Sequence, residues 1–168
     1  MLDIDAKELE ERINGKAEDA FVEKKPKFMP APEVEPVAKE LIYKFHPHLR
    51  EANIQYMFRT GKWNKNERPV VGDVKLISPY YNVLTGYDFG IILNYEYWCS
   101  LTRPSQHQEI LDHLLSFCYF TEDKDGNMKW KKIVPSIHEF PEVIARNGAY
   151  NEEVAELQNS LEEFETKE

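Results

Sequence analysis

The side chains able to do chemistry in this chain are sparse, and most gather around one segment, Ile110-Leu111-Asp112-His113-Leu114-Leu115-Ser116-Phe117-Cys118. Asp112, His113 and Cys118, together with His138 and Glu139 further along, are residue types that ligate a transition metal. A hydrolytic zinc would need such groups within about 2.0–2.2 Å of one ion. Nothing in the spacing demands that convergence, and His113 alone reads as a core or surface-edge histidine. His46 and His48 flank Pro47 at a helix end, where imidazoles can serve the last carbonyls. His107, about one and a half helical turns before His113, falls on another face and is expected to be exposed. Glu122 to Asn127 has part of a calcium loop without its closing Glu, and Asp125-Gly126 between Phe120 and Met128 is a hairpin signal. Ser100, Ser105 and Ser116 have no glycine elbow, and no glycine-rich phosphate loop is present.

The elements that must position these residues follow from periodicity. Val34, Val37, Leu41, Ile42 and Phe45 share one helical face, with Pro36 in the first turn and Pro47 as the stop. Three strand-like segments come next. Ile54, Tyr56 and Phe58 alternate with polar residues, Val70 to Ile77 is rich in β-branched residues, and Phe89, Ile91, Leu93 and Tyr95 predict a half-buried strand. Ser78 to Gly86 reads as a loop. Pro104 suits the first position of a helix predicted to run to about Phe120, with Ile110, Leu111, Leu114, Leu115 and Cys118 as a wide apolar stripe. Met128 to Val134 predicts a short strand, and Glu139 to Arg146 a short helix stopped by Asn147-Gly148. Asn151 can cap a last helix whose Val154, Leu157, Leu161 and Phe164 would dock on the domain. This order predicts an α+β fold, with helices on one face of a small sheet.

The expected divisions are an N-terminal weak helix and linker over 1–32, a domain over 33–150 and an acidic C-terminal helix over 151–168. At 168 residues the chain can bury a core without metal or disulfide staples. Its net charge of -9 disfavours nonspecific nucleic-acid binding. Residues 139–168 carry nine Glu against one Arg and one Lys, which fits a solvated acidic helix better than a nucleic-acid mimic. Two cysteines, Cys99 and Cys118, read as reduced, buried thiols. The acidic N-terminus has no apolar signal region, and no apolar run approaches the roughly 18 residues that span a membrane. The expected location is the cytosol.

Several stretches in shared order resemble the phage metallopeptidase family. They include Pro36 to Ile42, the His46-Pro47-His48-Leu49 corner, Ile54 to Arg59, Lys62-Trp63 and Gly72 to Lys75. Tyr95-Glu96-Tyr97-Trp98 followed by Glu109 to His113, Gly126 to Trp130 and Glu139 to Ile144 complete the match over about residues 33–150. The resemblance implies a zincin-like core: a helix, a small three- to four-stranded sheet, a buried helix that in relatives binds metal, and C-terminal helices. It also implies His, Glu and His on that helix, as HExxH, and a third His near the end.

This chain departs from that pattern. The first ligand position is His113, but the general-base position is Leu114, the second ligand position is Phe117, and the third falls at Pro135, with His138 three residues off. HExxH works because residues four apart on a helix face one way, so two imidazoles hold zinc while the Glu deprotonates its water. Leucine and phenylalanine can do neither. The expectation is a pseudoenzyme with no cofactor, encoded by a phage or prophage, monomeric or a weak dimer, and acting by binding a host or phage protein. Tyr95, Tyr97 and Trp98, on an aromatic edge strand, are the candidate partner surface.

Overall fold

The computed structural model describes residues 25–135, 137, 141–149 and 152–167. The fold is α+β. Strand β1 (Phe28–Pro30) leads into helix α1 (Val34–Phe45), a 3₁₀ turn (Pro47–Leu49) and strand β2 (Ile54–Arg59). A small ribbon of β3 (Asn64–Lys65) and β4 (Arg68–Pro69) precedes β5 (Gly72–Leu76), helix α2 (Pro79–Thr85) and β6 (Phe89–Asn94). Helices α3 (Tyr95–Ser100) and α4 (Pro104–Leu115) follow, then the hairpin β7 (Cys118–Glu122) and β8 (Met128–Lys132), and finally α5 (Pro141–Asn147) and α6 (Glu152–Glu165).

The main sheet is mixed, in the order β1-β2-β6-β5. β2 and β6 run parallel, while β1 and β5 are antiparallel edges. Tyr56, Phe58, Val74, Phe89, Ile91 and Leu93 turn inward from three strands and are buried. Against them lie Val34, Ala38 and Leu41 of α1 and Leu111, Leu114 and Leu115 of α4. The helical spacing of these apolar residues places them on single faces.

Four local expectations are corrected. Residues 28–30, read as linker, pair with Arg59 to Met57 as a sheet edge. Ser78 to Gly86, read as a loop, contains α2, with Pro79 at its start and Gly86 as a left-handed cap at φ 76°. The buried helix stops at Leu115, not Phe120, and Cys118 instead opens β7. The strand of Phe89 ends at Asn94, whose side chain accepts a hydrogen bond from the Tyr97 N–H and starts α3. That strand lies between two neighbours, so Gly90 and Asn94 on its other face are buried too. In α6, Val154 is buried, while Leu161 and Phe164 remain 56% and 64% exposed.

The close approach of α4 to the sheet depends on Gly72. A Cβ there would lie 2.8 Å from the Ile92 carbonyl oxygen and 2.8 Å from Leu114 Cδ1. Gly72→Ala is expected to destabilise the fold by about 1–3 kcal/mol in urea denaturation, because the backbone oxygen cannot swing away. A variant with parental stability would show that this contact is loose.

Candidate functional site

Helix α4 begins at Pro104, and Gln106 Oε1 accepts the Arg103 N–H at 3.2 Å to close its first turn. Its inward face is hydrocarbon. Leu114 is 2% exposed and packs on Gly72. His113 points outward, and its ring meets Phe117 edge-on at 5.2 Å and 90°. Four residues apart, the two rings lie on one side of the helix, as an HExxH pair would, but only one is an imidazole. Pro135 is exposed, and His138 and Glu139 lie outside the described residues.

The other suggested ligands are engaged elsewhere. Asp112 Oδ1 is 2.6 Å from Nε2 of His46, a histidine only 7% exposed at the C-terminal end of α1. This pair links α1 to α4 across 66 residues of sequence. Of the two cysteines expected to be buried, Cys99 is exposed, whereas Cys118 is buried, and burial pushes its thiol up to about 12 against the opposing pull of the Lys132 charge. It is therefore a neutral thiol and a poor metal ligand at neutral pH. His48 Nε2 is 3.1 Å from the Cys118 carbonyl oxygen. His107 is half-buried rather than exposed: its Nε2 is 3.2 Å from the Trp98 carbonyl oxygen and its ring packs on Trp98 at 4.2 Å. Among the described residues no group of three or more His, Cys, Asp or Glu could hold a metal ion. Among the described residues, one imidazole beside leucine and phenylalanine falls short of the four N, S or O ligands that zinc takes.

A cation sits beside this helix. Lys132 Nζ donates to Asp73 Oδ1 at 3.0 Å and to the Val74 carbonyl at 2.6 Å, and lies 5.5 Å from the Phe117 ring centroid. Lys75 reaches the same carboxylate at 2.6 Å. Burial raises the Asp73 pKa, but hydrogen bonds from Lys75 and Lys132 and their charges outweigh it, holding the carboxyl below its ordinary 3.8. The hairpin is thus fastened to edge strand β5. Neither this contact nor the His46–Asp112 pair has a spacing signal in the sequence.

The aromatic candidates need correction as well. Tyr95, Tyr97 and Trp98 lie on α3, not on an edge strand, and the strand before them is interior. Tyr95 is exposed, while Tyr97 and Trp98 are half-buried and Trp98 packs against Phe58 in the core. The family model described as Putative phage metallopeptidase matches residues 26–164. The chain belongs to this family. No curated protein and no solved structure matches it. No helix among the described residues is long and apolar enough to cross a membrane.

Two variants test this geometry. Leu114→Glu, a carboxylate at the position that the resemblance aligns with the motif's base, should cost more than about 3 kcal/mol, because that side chain is buried in hydrocarbon packing against Gly72. Parental stability would mean that the position opens to water. Lys132→Ala should cost about 1 kcal/mol at pH 7, as the pair is partly exposed. Since Asp73 titrates lower folded than unfolded, its contribution is present above 3.8 and fades as pH falls through the folded value. The deficit of Lys132→Ala should therefore shrink in acid, and a deficit that persists unchanged at pH 2 would refute the role of this ion pair.

Proposed function

We propose that this member of the family is a non-catalytic phage or prophage protein. It would use a degenerate zincin-like scaffold in the host cytosol to bind another protein, either a host factor such as a component of a defence system or a phage protein. The observation that carries the reading is Leu114: the residue standing where the family's general base belongs is packed into the core. Loss of a positioned base alone forfeits about 10²–10⁴-fold in rate. Phe117 at the second ligand position and the engagement of Asp112 with His46 support the same reading. With the chemistry gone, a surface is the part of the fold left to act, and exposed Tyr95 on α3 is a candidate member.

The alternative is a metal-dependent peptidase or other hydrolase whose ligands have moved, with His113 and His138 joined by Asp112 or Glu139. The 2.6 Å contact between His46 and Asp112 weighs against Asp112 in that set. Elemental analysis of the purified full chain separates the readings. The proposed function predicts well under one equivalent of zinc and a melting temperature unchanged by chelator. Stoichiometric zinc with chelator-sensitive peptide cleavage would overturn it.

A further inference from the structure

At the sheet edge opposite β5, a hollow of about 470 Å³ opens between α1 and the start of β2. It exists because the chain leaves the sheet early. β1 pairs with residues 57–59 of β2, Ala31 N–H donates to the Tyr56 carbonyl at 3.1 Å, and the chain then turns into α1. Backbone groups two apart on a strand face the same side. The N–H and C=O of Ile54 therefore face the side on which Tyr56 meets Ala31, with no strand of the described residues beyond them, and Ile54 lines the hollow. An uncovered strand edge is a template for an added strand.

Side chains around that edge add specificity. Tyr56 is 6% exposed and lines the same hollow, yet its hydroxyl makes no hydrogen bond to any described residue. Burial, with smaller effects from Cys118 and Glu35, raises its phenol above the ordinary 10.0, so it is a neutral O–H donor. Glu35 is neutralised by Lys39 at 2.7 Å. Arg50 has no carboxylate within ion-pair distance among the described residues, and its guanidinium lies 5.2 Å from the Tyr43 ring centroid. The cleft therefore carries a net positive charge on a chain whose total is -9. Ile42, Leu49 and Ala52 give it an apolar wall.

We propose that this cleft captures the C-terminal residue of an extended peptide. Its backbone would pair with Ile54, its α-carboxylate would meet Arg50 with the Tyr56 hydroxyl as a further donor, and its apolar side chain would lie against Ile42 and Leu49. The inference stands whether or not α4 is catalytically silent, since α4 packs at the β5 side of the sheet.

The test is an NMR titration of the isotope-labelled full chain with a set of short acetylated peptides. These end in Leu, Ile, Val, Phe or Met, each as the free carboxylate and as the amide. Saturable shifts should centre on Asn53 to Tyr56, and the carboxylates should bind about tenfold or more tighter than the amides, as a charge-assisted contact implies. Arg50→Gln, an exposed position, should weaken carboxylate binding by a similar factor while leaving the remaining spectrum unchanged. Absence of saturable shifts with every peptide at millimolar concentration, equal binding of the amides, shifts confined to another face, or unaltered affinity in Arg50→Gln would each overturn the proposal.

Discussion

Helix α4 has a single inward face, and Leu111, Leu114 and Leu115 fill it almost completely. Each such leucine contributes roughly 1.5–3 kcal/mol when fully buried, so the three form a substantial part of the stability of a small domain. The sheet can come close enough to bury them only because Gly72 has no side chain at the contact. The position of α1 follows from the same face, since α1 packs beside α4 over the sheet and its end is tied there by His46 and Asp112. A polar, hydrated pocket at Leu114 is incompatible with this packing.

The electrostatics around the helix are consistent with that arrangement. Asp112, next to His113 on α4, is turned toward a buried imidazole, and the thiol at the start of β7 is held neutral by burial. The nearby positive charge belongs to the chain itself: Lys132 bridges Asp73, the Val74 carbonyl and the face of Phe117. These contacts serve to fasten a hairpin to a strand edge. Such an edge otherwise presents unpaired backbone groups.

Much of the fold was legible in the sequence because its helices and central strands bury regular stripes. Val34, Val37, Leu41 and Ile42 mark α1, although Phe45 of the same stripe is exposed, and alternating Ile54, Tyr56 and Phe58 mark β2. Helix α2 escaped detection because none of its residues is buried, although Pro79 and Gly86 punctuate both ends. The overlong reading of α4 arose because Cys118 continued the apolar stripe, while the strand-forming run Tyr119-Phe120-Thr121 carried the better signal. Alternation likewise runs past Asn94 to Tyr95 and Tyr97, but the cap at Asn94 wins. That hydrocarbon side chains stand at positions 114 and 117 could be read directly from residue types. The partners of Asp112 and Asp73 could not, since contacts across 66 and 59 residues leave no local pattern.

The most direct measurement is amide hydrogen exchange along α4, with and without excess zinc. A helix whose inward face is committed to packing should exchange at Leu111 to Leu115 only through global unfolding, at rates that zinc leaves unchanged. Rapid exchange there without metal, slowed by added zinc, would contradict the account and show that an ion organises the helix.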